Sequence, residues 1–265
     1  MIKKSYAKIN LTLKIIGKEN EFHLLESVVC PIDIYDVLKF EISEYDEIIS
    51  NVEIENNNIF KAINLFREYT KINKFVKINL EKNIPIGYGL GSSSANISTT
   101  LKALNELFDV NLSDQVLEKL AAKLGSDTVF SLYNKRSFIS GRGENILTVN
   151  SKKLFNFIIV LPHKSLLTKD VFGSFKMGDN YQNFRPYIND NDFLKMYGEN
   201  DLLESSLSLS KELLEIVEKG IKLKLDFKMT GSGSGLFLID PNEFEKDLIY
   251  KEFKQYDILE TKEIG

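Results

Sequence analysis

The stretch Ile84-Pro85-Ile86-Gly87-Tyr88-Gly89-Leu90-Gly91-Ser92-Ser93-Ser94-Ala95-Asn96 gathers the groups best suited to hold an anion. Glycine lets the backbone approach closely and serine hydroxyls donate hydrogen bonds. If a helix starts here, its free amides and positive dipole end face the ligand. The Walker pattern needs a lysine after its second glycine, and none is present. The dinucleotide pattern needs a third glycine where Ser92 stands. A small-residue turn that merely starts a helix is the plainer reading. Against it, each glycine costs ~0.5–1 kcal/mol of backbone entropy relative to alanine.

The flanking residues supply the elements that would carry such a loop. Val76, Ile78 and Leu80 alternate as a strand over 75–81, and Ile97, Leu101, Leu104 and Phe108 fall on one helix face. Near the start, Ile9, Leu11, Leu13 and Ile15 alternate with Lys8, Asn10, Thr12 and Lys14, a half-buried strand. Lys8 and Asn10 then project from one face, which could be no more than a solvated one. Val37 to Ile42 reads as a further strand, and the polar, acidic 43–57 as a connection or edge. Asn58 can cap a helix carrying Ile59, Ala62, Phe66 and Tyr69. Another helix runs from Ser113 through Leu117, Leu120, Ala121 and Leu124 to Gly125. Asp127 follows it, at what reads as the unfavourable end of that helix dipole, where a turn-forming aspartate is the simple alternative.

Further on, Phe155 to Leu161 is a continuous apolar run, a buried strand opening a second domain. Residues 173–198 are polar and carry no clear element. A helix is expected from Asn200 to about Lys219, ended by Gly220. Leu223, Leu225, Phe227 and Met229 alternate as a strand into Thr230-Gly231-Ser232-Gly233-Ser234-Gly235, which is either a plain hairpin or a ligand-facing loop. Leu236 to Ile239 is a strand and 243–253 a last amphipathic helix.

Composition narrows the function classes. A chain of 265 residues fits one large domain or two intimate ones. The net charge of -4, with both signs intermixed, advertises no nucleic-acid face. One cysteine, Cys30, rules out an internal disulfide, and with only His23 and His163 no zinc cluster is plausible. No apolar run approaches the ~20 residues a membrane span needs and no signal core opens the chain, so a cytoplasmic protein is expected.

The order Pro-x-x-x-Gly-Leu-Gly-Ser-Ser-Ser-Ala resembles the phosphate loop of the galactokinase, homoserine kinase, mevalonate kinase and phosphomevalonate kinase (GHMP) superfamily. Ala7-Lys8-Ile9-Asn10-Leu11 followed by Glu21-Phe22-His23-Leu24-Leu25-Glu26-Ser27 resembles the opening of one of its families, the 4-diphosphocytidyl-2-C-methyl-D-erythritol kinases. Ser126-Asp127-Thr128-Val129-Phe130 is similar to that family's third element, departing from it at 128 and 129. Ser140-Gly141-Arg142-Gly143-Glu144 is similar to its Gly-x-Gly-Glu hairpin, Thr168 and Phe172 to its substrate segment, and Thr230-Gly231-Ser232-Gly233 to its last motif. The loop departs from the family's Gly-Leu-Gly-Gly-Gly-Ser-Ser at Ser92, Ser93 and Ala95.

The resemblance implies an α+β, two-domain GHMP kinase fold. An ATP-binding N-terminal domain over 1–150, like domain 2 of ribosomal protein S5, would precede a ferredoxin-like C-terminal domain over 151–265. It implies ATP-dependent phosphorylation of the 2-hydroxyl of 4-diphosphocytidyl-2-C-methyl-D-erythritol, a step of mevalonate-independent isoprenoid synthesis, with Mg²⁺. The protein would be a monomer or weak homodimer without nucleic-acid or membrane partners. Residues Pro85, Ile86, Gly87, Tyr88, Gly89, Leu90, Gly91, Ser92, Ser93, Ser94 and Ala95 would wrap the ATP phosphates. Asp127 would be the general base and Lys8 its partner, since an ammonium beside a carboxylate stabilises the charged form and can polarise the attacking oxygen. Phe22 and Phe172 would sandwich the cytosine and His23 read its polar edge, with Asn10 and Thr168 as further substrate contacts. A homoserine- or mevalonate-type kinase, or a catalytically silent binding protein on this fold, are the alternatives.

Overall fold

The computed structural model describes residues 1–54, 57–151, 153–176 and 199–265. Among the described residues the strands form two sheets. The first is organised on β3 (Phe22–Ser43), which pairs with β1 (Ile2–Asn10), β2 (Lys14–Glu19), β5 (Phe75–Glu81) and β6 (Ser137–Gly141). Strands β4 (Glu47–Ser50) and β7 (Asn145–Thr148) extend its two sides. All of these described pairings are antiparallel except β4 with β5, which makes the chain α+β.

Helices α1 (Ile59–Thr70), α2 (Ser92–Leu107), α3 (Asp114–Ala122) and α4 (Thr128–Tyr133) cover one face of that sheet. Leu38 and Phe40 of β3 meet Ile63 and Phe66 of α1 and Leu101 and Leu104 of α2 there, in a buried apolar core. The other face, with Ala7, Ile9, Val28, Cys30 and Ile32, packs on the second sheet.

The second sheet has the order β11-β8-β10-β9, from β8 (Asn156–Leu161), β9 (Lys228–Met229), β10 (Leu236–Ile239) and β11 (Asp257–Lys262). Helices α5 (Thr168–Ser174), α6 (Leu203–Leu209) and α7 (Lys211–Leu223) lie between β8 and β9, and α8 (Glu243–Glu252) between β10 and β11. This is the strand order of a ferredoxin-like unit. The unbroken apolar run of β8 has a cause: Phe157, Ile159 and Leu161 face the first sheet, while Ile158 and Val160 face α7 and α8. The C-terminal end ties back to the first sheet through a buried ion pair of Arg136 with Glu263.

Several expectations are corrected. The strand at Lys8 is buried on both faces, because α2 and the 230–235 loop cover the side that carries Lys8 and Asn10. It stops at Asn10 and resumes as β2 at Lys14. Val37 to Ile42 is only the end of β3. Asn58 precedes α1 without capping it, its amide donating to Ser93 instead, and Tyr69 is exposed. The 200–219 helix is two helices, with Ser210 capping α7 through the Leu213 amide, and Gly220 lies inside α7. Leu223 ends α7, so only Lys228 and Met229 form the expected strand. The closing strand β11 carries no strict alternation and was not foreseen. Of the polar stretch 173–198, residues 177–198 lie outside the described residues.

Candidate active site

A cleft of about 530 Å³ opens where the end of β1, the loop before α2, the turn before α4, helix α5 and the 230–235 loop converge. Its wall includes Lys8, Asn10, Gly91, Ser94, Asp127 and Thr168. Lys8 is fixed along its length. Its backbone N–H donates to the Leu90 carbonyl at 3.0 Å, and its ammonium donates to Asn10 Oδ1. Gly91 has φ +73°, and a Cβ there would fall 2.7 Å from Lys8 Cγ, so the loop can close on the lysine stem only with glycine at this position. Lys8 Nζ then stands 3.3 Å from Asp127 Oδ2.

Asp127 does not end the preceding helix. It is the N-cap residue of α4, a separate short helix, although its side chain makes no capping bond. The carboxylate therefore sits at the favourable, positive end of a helix. Thr128 fixes it there: its hydroxyl lies 2.5 Å from the carbonyls of both Ala121 and Gly125 and donates its one hydrogen between them, and its own carbonyl accepts from Ser98 Oγ of α2 at 2.5 Å. The departure from the family pattern at 128 thus closes the turn that delivers Asp127.

Helix α2 begins at Ser92, so the first-turn amides of the serine run have no partner within the helix. The three hydroxyls differ in use. Ser92 Oγ donates to Asp36 at 3.0 Å, and Ser93 Oγ accepts from Asn58 at 2.9 Å. Ser94 lines the cleft, and its hydroxyl has no hydrogen-bond partner among the described residues. Pro85, Ile86, Gly87, Gly89 and Leu90 also line the cleft. Tyr88 and Ala95 do not: Tyr88 donates its hydroxyl to the Pro162 carbonyl at 2.9 Å, and Ala95 is packed into the interior.

The far side of the loop is held by the 230–235 segment. Thr230 Oγ1 accepts from the Asn10 amide at 3.1 Å and donates to the Gly89 carbonyl at 3.3 Å. Gly231 and Ser232 line the cleft, and Ser232 shares a hydrogen bond with Thr168 at 2.9 Å. The 230–235 segment thus turns toward the cleft with Gly231 and Ser232.

Away from the phosphate loop the wall turns apolar, with Leu13, Leu25, Ile139 and Phe172. His23 lies with its ring centroid 5.2 Å from that of Phe172 and meets Phe175 edge-on at 5.9 Å. Burial, with Lys18 nearby, holds the His23 imidazole below its usual pKa. Phe22 lies outside the cleft wall; half its surface is exposed, and the Arg142 guanidinium sits 3.5 Å above its ring. Neighbouring strand residues point to opposite faces, so Phe22 turns away from the Phe172 side that His23 takes. An open aromatic face at a strand end then attracts the hairpin cation.

Sequence reasoning missed Asp36, Lys82 and Asn96. Lys82 lines the cleft, its ammonium bonded to the Ile84 carbonyl and 3.1 Å from Asp36; burial pulls its pKa down, opposed by that carboxylate. A signal for Asp36 did exist: it is a charge in the alternating row with Leu38 and Phe40. For Lys82, one lysine among several near a loop, the sequence holds no such signal.

A cleft combining free helix amides, a held ammonium and an adjacent carboxylate suits transfer of a highly charged phosphoryl group, where positioning and charge stabilisation dominate. The family profile of the GHMP kinases N terminal domain matches residues 57–135. The chain is 33% identical over 270 residues to a 4-diphosphocytidyl-2-C-methyl-D-erythritol kinase of Clostridium tetani, covering 95% of each. It is 35% identical over 253 residues to one of Chlamydia muridarum, covering 93% of this chain and 87% of the relative. A crystal structure of 4-(cytidine 5'-diphospho)-2C-methyl-D-erythritol kinase superposes with a TM-score of 0.81 at 24% identity, over the whole of both chains. The mevalonate kinase of Methanococcus jannaschii superposes with 0.71 at 18% identity, covering 100% of this chain and 98% of the other.

Proposed function

The chain belongs to the 4-diphosphocytidyl-2-C-methyl-D-erythritol kinase family, and we propose that the cleft at Lys8 and Asp127 is where it moves the terminal phosphoryl group of ATP to the 2-hydroxyl of that substrate. It is a kinase, a phosphotransferase to an alcohol, of the non-mevalonate isoprenoid route. The observation that carries the assignment of the site is the 3.3 Å approach of Lys8 to Asp127 beside the serine-bearing loop.

ATP phosphates lie against the free amides at the start of α2, with the Ser94 hydroxyl as a further donor. Asp127 takes the proton of the attacking 2-hydroxyl as its oxygen closes on the terminal phosphorus. The Lys8 ammonium, oriented by Asn10, stabilises the charge that develops between them. The cytosine end goes to the apolar wall at Phe172, where His23, kept neutral by burial, offers one acceptor nitrogen and one N–H. Thr168 contacts the polar middle of the substrate, its hydroxyl already shared with Ser232. Phe22 joins the stack only if Arg142 leaves its ring.

Asp127 is the one carboxylate among the described residues of the wall, so a Mg²⁺ ion fits here chiefly as a passenger on the nucleotide phosphates. The Ser94 hydroxyl is the wall group that would hold it, Asp127 being kept for the substrate proton, and bound there the ion would neutralise phosphate charge. Residues 1–150 form the ATP-binding part and 151–265 the part that completes the substrate end. No described helix is long and apolar enough to cross a membrane, and we place the enzyme in the cytoplasm, where ATP is supplied.

The test offers the purified protein ATP with 4-diphosphocytidyl-2-C-methyl-D-erythritol, homoserine or mevalonate and follows ADP release. Turnover with the cytidyl compound alone is expected, and turnover with homoserine or mevalonate instead overturns the reading.

A further inference from the structure

Behind the phosphate loop lies a carboxylate that no step above uses. Asp36 shares its row of β3 with Leu38 and Phe40 and, like them, exposes no surface to solvent. A charge in an apolar row is tolerated only when its oxygens are fully engaged. Asp36 Oδ1 accepts from the backbone N–H groups of Asn83 and Ile84, each at 2.8 Å, and from Lys82 Nζ at 3.1 Å. Its Oδ2 accepts from Ser92 Oγ at 3.0 Å and from Asn96 Nδ2 at 2.9 Å.

The donors fall into two groups. Residues 82–84 bring the chain out of β5 into the loop, and Ser92 with Asn96 take it away along α2. One anion therefore clamps both legs of the phosphate loop from behind, without lining the cleft itself. It also holds the Lys82 ammonium at the cleft wall, so that the cation is set in place before any ligand arrives. The Ser92 hydroxyl is committed to Asp36 and so is not a phosphate ligand.

We propose that Asp36 is a positioning residue for the nucleotide: it fixes the span of the phosphate loop through Ser92 and Asn96 on one leg and through the 82–84 segment on the other. The inference rests on the reading of this loop as the ATP-phosphate site. A carboxylate that served only the core would, when lost, lower the unfolding temperature and weaken both ligands alike. A loop clamp acts on one of them.

The experiment titrates full-length Asp36→Asn with a non-hydrolysable ATP analogue and, separately, with 4-diphosphocytidyl-2-C-methyl-D-erythritol, by calorimetry. Asparagine keeps the shape but presents an NH₂ to one set of donors. The analogue is expected to bind at least tenfold more weakly while the cytidyl compound stays within twofold. A nucleotide loss less than fivefold larger than the cytidyl loss overturns the proposal. If Asp36→Asn does not fold, Ser92→Ala decides: the nucleotide alone should weaken at least threefold, and any smaller change overturns it. If the wild-type protein fails to bind the cytidyl compound, the functional reading falls, and Asp36→Asn is scored on the nucleotide by the same fivefold threshold.

Discussion

Nζ of Lys8 and Oδ2 of Asp127 stand 3.3 Å apart, joining the end of β1 to the start of α4 across the mouth of the phosphate loop. If they work as one unit on the attacking oxygen, their losses should not multiply. Asp127→Asn is expected to fold normally and lose ~10²–10⁴-fold in kcat, and Lys8→Met to lose ~10²–10³-fold through the missing charge stabilisation. The double variant should fall well short of the product of the two, as for residues that act together. Steady-state kinetics with ATP saturating reads all three; turnover near wild type in Asp127→Asn removes it as the base.

Phe172 supplies a flat wall at the apolar end of the cleft, where we place the cytosine. Phe172→Ala should raise KM for the cytidyl substrate by roughly 5- to 150-fold, the equivalent of ~1–3 kcal/mol of stacking. KM for ATP should not move. The same pair of constants for Phe22→Ala tells whether that ring, covered here by Arg142, joins the stack: a substrate KM unchanged from wild type would exclude it.

The two histidines make an internal pair of pH reporters. The ring of His23 is held below the ordinary 6.5 by burial, so it should titrate late on acidification. Its contribution to stability is present above pH 6.5 and is lost as pH falls through its folded pKa. His163 is raised by its hydrogen bond to Glu212, so its contribution is present below 6.5 and fades as pH rises through its folded pKa. An NMR titration following the two imidazoles should give midpoints on opposite sides of 6.5, and a His23 midpoint at or above 6.5 would contradict its burial.

Gly89 meets the chain at Thr230 backbone to backbone. With φ at +75° and a Cβ that would fall 2.1 Å from the Thr230 carbonyl oxygen, Gly89→Ala cannot be absorbed by a side-chain rotation. A left-handed alanine alone costs about 1–2 kcal/mol, and the clash adds to it. The melting temperature should fall and KM for ATP should rise, as measured by thermal unfolding and kinetics on the same preparation.

Glu263 is the buried partner of Arg136. Glu263→Ala leaves a buried guanidinium without its carboxylate, a loss of about 3–5 kcal/mol. Denaturant unfolding should show this as a lower midpoint with an unchanged slope.

The chemistry was more legible in the chain than its supports. Lys8, the glycine–serine loop, Asp127 and Thr230 stand in short motifs that resemble those of the family, and the structure brings the first three to one cleft with Thr230 behind the loop, while the strand–loop–helix around the loop follows from plain periodicity. What stayed hidden depended on distant partners. Nothing local says that Asp127 opens a new six-residue helix rather than ending an old one, because the turn is closed by a threonine hydroxyl reaching back to Ala121. Phe22 takes the face opposite His23 by strand alternation, and the cation that covers its ring comes from another hairpin, which nothing near Phe22 in sequence reveals. Strand β11 exists because β8 offers it an edge, not because its own sequence alternates.

Strand β3 carries His23 one residue in from its start and passes Asp36 behind the serine-bearing loop before it ends. Leu25 of this strand lines the apolar end of the cleft, and the irregularity in its pairing with β1 between Ile32 and Tyr35 falls between that end and Asp36, so a shift of one backbone would be felt at both ends of the site.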